Sequence, residues 1–209
     1  MIDIKPVSFP NYGFLQVKLD TAEMQYLWNR IKEHKDSAKH KLAGHIDSSY
    51  DLVDINNWFF NTTLVPLCSA YANTYDNLGN TVPTNNKHPF YLDAFWVNFQ
   101  KQTEFNPLHD HSGIYSFVVW MKIPTDFKEQ NSNVLASTAR SKKISAFDLH
   151  YINTFGRIDT LQFNLDKSYE GTLLFFPSRF DHCVYPYYNC EDTRVSISGN
   201  ILLNTNIII

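Results

Sequence analysis

The run NPLHDHSG places His109 and His111 two positions apart, and on an extended strand such residues point to the same face. Two imidazoles on one face can hold one metal ion. Asp110 between them faces the other way unless a bulge turns it, so strand geometry favours His111 over Asp110 as the second ligand. A third ligand candidate, His182, lies in FFPSRFDHCVYP just beyond a strongly β-like run, a spacing that suits opposite strands of a barrel. A lone histidine near an aromatic strand is more often a hydrogen-bonded structural group, and it is the H-x-H pair that shifts the reading toward metal. Three imidazoles plus water suit zinc as well as iron, so the histidines alone leave the two open.

Arg194 follows twelve positions after His182, with Ser196 beside it in RVSISGN at the same two-residue spacing. On a strand the two side chains share a face. A guanidinium is always charged and grips a carboxylate through two parallel hydrogen bonds, so an inward arginine demands an anionic partner. A structural salt bridge with Asp or Glu is the ordinary alternative, and a common one.

These residues need elements to hold them. Met24, Leu27, Trp28 and Ile31 recur at helical spacing behind an Asp20–Glu23 capping pair, which predicts an amphipathic helix over residues 21–34. A second helical region follows Asp51, with Leu64, Cys68, Tyr71 and Tyr75 on one stripe, a restart at Pro66 and a stop at Gly79. Both are expected to pack on a sheet. The polar stretch 35–49, with His40 and His45, reads as a solvated loop. From Phe90 onward six β-rich runs follow, YLDAFWVNFQ, IYSFVVWMKIP, FDLHYINTF, RIDTLQFNL, GTLLFFPS and RVSISGNILLN, punctuated by Gly and Pro. That pattern predicts a sandwich or barrel. Residues 125–145, rich in Ser, Asn and Lys, read as a long surface loop of the kind that often serves as a lid. The apolar end of the chain, residues 201–209, reads as an edge strand.

At 209 residues the chain suits one domain, taken as 1–209, with a helical support region over 1–80 and a β-barrel core over 90–209. Hydrophobic residues at 44% and aromatics at 15% supply a packed core. The net charge of −3 is spread among interspersed residues, so nucleic-acid binding is not indicated. Three cysteines form no metal-ligand pattern and no complete disulfide framework. The N-terminal run lacks a signal-peptide pattern, and no stretch approaches the roughly 18 apolar residues of a membrane span. A cytoplasmic protein without a membrane partner is the expectation. Oligomeric state leaves no mark in the sequence.

Taken together, H-x-H, a distant His and R-x-S a dozen residues later resemble the iron- and 2-oxoglutarate-dependent dioxygenase superfamily. The likeness covers roughly residues 95–203 and is closest to a group from marine bacteria and their phages, through HDHSGIYSFVVWMKIP and GTLLFFPSRFDHCVYPYYNCEDTRVSISGN. It implies a mainly β fold, the double-stranded β-helix (jelly-roll, cupin-like barrel), with the N-terminal helices on the outer face of the sheet. It implies His109 and His182 as the first and last ligands of Fe(II), Arg194 as anchor of the distal carboxylate of 2-oxoglutarate, and Ser196 as its hydroxyl helper. Most of the superfamily has a carboxylate where this chain has His111, giving two His and one Asp or Glu. A third histidine leaves the centre one charge more positive, which a dianionic co-substrate offsets.

The implied reaction takes Fe(II), with 2-oxoglutarate and O2 as co-substrates, hydroxylates an unidentified substrate and releases succinate and carbon dioxide. Asn98 and Tyr115, on segments flanking the motif, are expected to line the co-substrate pocket, whereas Trp96 reads as a core aromatic. Asn98 and Asn200 are also expected as acceptors for the outer N–H groups of the ligand histidines. The competing classes are a cupin-like metalloprotein of another reaction type and a non-catalytic jelly-roll interaction module.

Overall fold

The computed structural model describes residues 5, 11–34, 36–39 and 42–209. His40 and most of the N-terminal run lie outside the described residues. Among the described residues ten strands form two antiparallel sheets. The larger has the order β1 (Leu15–Lys18), β8 (Thr172–Pro177), β5 (Tyr115–Lys122), β10 (Arg194–Leu203), β3 (Phe90–Gln100), β2 (Ser48–Asp51). The smaller has β4 (Asn106–His109), β9 (His182–Val184), β6 (Ala146–Ile152), β7 (Ile158–Asn164). This is the double-stranded β-helix the sequence analysis anticipates.

Side-chain alternation divides the larger sheet between two cores. Tyr115, Phe117 and Val119 of β5 and Leu173 and Phe175 of β8 face the helices, while Val118, Trp120, Leu174 and Phe176 face the smaller sheet. Both faces are covered, which is why these strands read as unbroken apolar runs. On β3 and β10 the inward positions are instead polar: Asn98 and Gln100 on one, Arg194, Ser196, Ser198 and Asn200 on the other, all around one cavity. The barrel therefore has an apolar end and a polar end.

Helix α1 (Thr21–Lys32) starts at a reciprocal capping box in which Glu23 N–H donates to Asp20 Oδ1 and Asp20 N–H donates to Glu23 Oε2, each at 2.8 Å. Its buried residues Leu27 and Ile31 pack on the larger sheet with Leu64, Cys68 and Tyr71. Helix α2 (Val65–Thr74) carries Pro66 in its first turn, after a π-helical turn at Phe60–Leu64. It stops at Thr74, short of Gly79. Asp76 and Asn77 accept from the backbone N–H groups of Asn77 and Gly79, and these local bonds compete with helix continuation.

Two further expectations are corrected. The chain end is not an edge strand: β10 lies inside the larger sheet between β5 and β3, and the chain leaves it at Leu203. Ile207 instead meets His88 Nδ1 through its carbonyl at 2.7 Å and Asn204 O through its N–H at 3.1 Å, and Ile209 N–H donates to Lys87 O at 3.0 Å. The described part of 35–49 is more than a solvated loop, since residues 42–49 lead into β2 and put Leu42, Ala43, Gly44 and Ile46 over the polar end of the barrel. A Cβ at Gly44 would sit 2.5 Å from Asn106 Oδ1, so a side chain there requires the Asn106 amide to move. His45 lies outside the cavity, stacked on Phe105 at 4.7 Å.

Candidate functional site

His109 closes β4 and His182 opens β9, and the two are register partners across the antiparallel pair. They are thus on neighbouring strands of the smaller sheet rather than on opposite strands of the barrel. His111 lies just past the end of β4, in the turn to β5. Its backbone N–H donates to Ser178 O at 2.9 Å, and Gly113, at φ 113, turns the chain where a Cβ would come within 2.9 Å of Ile201 O. Convergence of His109 and His111 survives although the strand ends between them.

The three rings face one another, with centroids 4.2 Å apart for His109 and His182 and 4.9 Å for each pairing with His111. One nitrogen of each lies within 4.8 Å of the others. His109 Nδ1 is 2.7 Å from Pro107 O, and His182 Nδ1 is 3.0 Å from Phe180 O. A carbonyl only accepts, so both Nδ1 atoms carry the proton and both Nε2 atoms keep a lone pair. These carbonyls fill the role the sequence analysis gives to Asn98 and Asn200. Asn98 Oδ1 instead accepts from Ser49 at 2.7 Å, and Asn200 Oδ1 from Ser116 at 2.8 Å.

Burial, reinforced by the His109 imidazole, pushes His111 down to about 4. His182, more deeply buried and beside both His109 and His111, is pushed down to about 3. Both are neutral near pH 7, the form in which imidazole binds a metal. The donor set fits a divalent cation of the first transition row, with three nitrogens and open positions. Asp110 stands at the rim, turned toward Arg179 Nη1 at 3.0 Å.

Arg194 is buried at the inner end of the same cavity, which encloses about 290 Å³. Nη1 donates to Gln100 Oε1 at 3.2 Å, Nη2 donates to Ser145 Oγ, and the guanidinium lies 5.0 Å from the centre of the Tyr187 ring. Nε has no hydrogen-bond partner. Among the described residues no carboxylate pairs with Arg194, so the salt-bridge alternative is not met. Burial alone pushes Arg194 down to about 10, still cationic at neutral pH. A buried cation without a counter-ion calls for an anionic ligand.

Ser196 lies on the cavity wall two residues from Arg194, as the alternation requires. Tyr115 does not: its ring is in the helix-side core, and its hydroxyl accepts from Leu78 N–H at 3.3 Å. The opposite parity of β5, carried by Ser116, Val118 and Trp120, faces inward. Trp96, read as a core aromatic, lines the cavity with its ring 5.7 Å from His111 and its indole N–H unpartnered. Sequence reasoning also missed Gln100 and Ser145. Trp96, Asn98 and Gln100 share one parity on β3, and that W-x-N-x-Q polar alternation opposite R-x-S-x-S-x-N on β10 is the signal that could have found Gln100. Ser145 ends the 125–145 stretch at φ 64, buried and bonded to Thr125 Oγ1 at 2.9 Å, with no sequence signal of its own.

A larger groove of about 870 Å³ lies beside α2, lined by Cys68, Ala72, Asn80 and Phe90, and brings no set of metal-binding side chains together among the described residues. No helix of the described residues is long and apolar enough to cross a membrane.

A family model described as "Putative 2OG-Fe(II) oxygenase" matches residues 94–200, just over half of the chain. Solved structures share the fold at low identity. One is a prolyl hydroxylase from Trichoplax adhaerens in complex with a hypoxia inducible factor peptide fragment (10% identity, TM-score 0.52, 91% of this chain and 83% of that one). Another is the viral collagen prolyl hydroxylase of Paramecium Bursaria Chlorella virus-1 (11%, 0.50, 90% and 94%). A third is the non-heme alpha ketoglutarate dependent epimerase SnoN from nogalamycin biosynthesis (12%, 0.51, 91% and 76%). A comparison with curated protein sequences finds no match.

Proposed function

The chain belongs to the 2OG-Fe(II) oxygenase family, whose members use Fe(II), 2-oxoglutarate and O2, and from that premise we propose that it hydroxylates a C–H bond of its substrate. In this reading His109, His111 and His182 hold the iron, and Arg194 with Ser196 holds the distal carboxylate of 2-oxoglutarate. The observation that carries it is the buried, carboxylate-free guanidinium at the inner end of the cavity that the three histidines line. Bound there, the metal and co-substrate supply oxygen activation coupled to decarboxylation, giving succinate and carbon dioxide.

The chain's own residues bind, orient and shield. Pro107 O and Phe180 O fix the tautomers of His109 and His182, presenting Nε2 without a rearrangement. Gln100, Ser145 and Tyr187 hold the guanidinium plane before any ligand arrives, which lowers the ordering cost of binding. Leu42, Ala43, Gly44 and Ile46 line the cavity and limit water. Trp96 offers an unused N–H beside His111 to a polar group of co-substrate or substrate. We also read 1–209 as one domain, since β1 and β2 from the N-terminal region complete the larger sheet.

The fold neighbours include both an epimerase and a prolyl hydroxylase in complex with a peptide fragment, so likeness of fold does not select among substrates. Incubation with Fe(II), a reductant and 2-oxoglutarate should form succinate slowly even without a prime substrate. Succinate formation equal to a metal-free blank contradicts the proposal.

A further inference from the structure

A second donor cluster lies on the outer face of the smaller sheet. Asp148 and Cys183 are register partners on β6 and β9, and His150, two residues from Asp148, shares their face. Their flanking residues Phe147, Leu149 and His182 point the other way, into the barrel. One ligand atom each from Asp148, His150 and Cys183 lies within 4.8 Å of the others. Cys183 Sγ is 3.9 Å from His150 Nε2, while His150 Nδ1 is 3.0 Å from Thr160 Oγ1. If Nδ1 donates to that hydroxyl, Nε2 turns its lone pair toward the sulfur.

Tyr185 hydrogen-bonds both Asp148 and Cys183, yet Asp148 is only partly satisfied within the cluster. Its side chain is 1% exposed, and one oxygen pairs with Lys143 Nζ at 2.5 Å. The other, Oδ1, is buried without a hydrogen-bond partner. A buried carboxylate oxygen left unmatched is costly, and native proteins rarely keep one without a ligand to meet it. The Lys143 side chain is 29% exposed on a flexible stem, so its ammonium can leave toward solvent.

We propose that Asp148, His150 and Cys183 form a second metal site for a thiophilic divalent cation of the zinc class, back to back with the three-histidine centre. Carboxylate, imidazole and thiolate are all ligands that such a cation accepts, and three protein ligands leave a fourth position open. The charges balance. Without metal the Lys143 ammonium offsets the Asp148 carboxylate beside a neutral thiol. With metal, Cys183 gives its proton to solvent, Lys143 swings out, and the dication is matched by carboxylate and thiolate. The neighbouring centre has no sulfur, so the two sites differ in kind.

That difference is the basis of the test, which uses Co(II) as probe on the full-length protein. A cobalt–thiolate bond gives a charge-transfer absorption in the near ultraviolet, and a cobalt bound only by imidazoles does not. Titration should raise that absorption to saturation in wild type, in His109→Ala, in Cys68→Ser and in Cys190→Ser. Cys183→Ser, checked for folding by circular dichroism, should lose it. His150→Gln should weaken the titration at least about tenfold, as loss of a metal-supporting group does. No sulfur–cobalt absorption in folded wild type, or full absorption in Cys183→Ser, overturns the proposal. Should Cys183→Ser fail to fold, His150→Gln decides, and unchanged cobalt affinity there overturns it.

Discussion

Asp110 turns away from the histidines that flank it and accepts from Arg179 at 3.0 Å. That pairing supports the proposed ligand set of His109, His111 and His182, without Asp110. His182→Ala is expected to abolish iron binding, whereas Asp110→Asn should leave iron content near wild type. The Asp110–Arg179 pair is exposed, so its loss should cost no more than about 1 kcal/mol of stability. Metal analysis of the purified, iron-loaded variants checks the contrast. Loss of iron in Asp110→Asn with retention in His111→Ala would reverse the assignment.

Arg194→Lys should weaken 2-oxoglutarate binding severely while sparing the metal, because an ammonium cannot reproduce the planar two-bond grip of a guanidinium. Truncating one member of a desolvated charge pair costs about 2–5 kcal/mol. Ser196→Ala should lose less, at most about 1.5–3 kcal/mol for one hydrogen bond to a charged group. Calorimetric titration of 2-oxoglutarate into the iron-loaded proteins gives the ranking. An Arg194→Lys dissociation constant within about twofold of wild type would reduce Arg194 to a structural cation, since that is well under the 1.4 kcal/mol of a tenfold change.

The metal-free protein should lose stability as the pH is lowered from neutrality. His111 and His182 sit at about 4 and about 3 in the folded state, below the ordinary 6.5. Between those values the unfolded chain takes up protons at these positions that the folded chain does not, so each step down favours unfolding. Urea midpoints of metal-free protein should fall steadily below about pH 6.5. His182→Gln, which cannot titrate there, should show a shallower fall. An identical pH slope in that variant would refute the account. Added metal should raise the midpoint more at pH 7.5 than at pH 5, because protons compete for the same lone pairs.

Much of this was legible in the sequence. The six long strands announce themselves because an alternating or unbroken apolar run needs five or more residues to show, whereas β4 has four residues and β9 three. The R-x-S spacing survives in the structure because strand parity is local, whereas the H-x-H pair converges although β4 ends at His109. Tyr115 was misplaced for a related reason. Strand β5 is apolar on both faces, so its sequence carries no sign of which parity points inward. Two partners of the Arg194 guanidinium, Gln100 and Ser145, come from distant segments, and nothing local in the chain couples them to it, while Tyr187 lies only seven residues away.

The central claim is that the three histidines and Arg194 form one site for iron and 2-oxoglutarate together. It is tested most directly by adding Fe(II) and then 2-oxoglutarate to the protein without oxygen and recording the visible spectrum. A weak charge-transfer band that appears only with both, vanishes in His182→Ala and requires far more 2-oxoglutarate in Arg194→Lys is the predicted result. A spectrum unchanged by 2-oxoglutarate in protein shown to hold one iron would contradict the account.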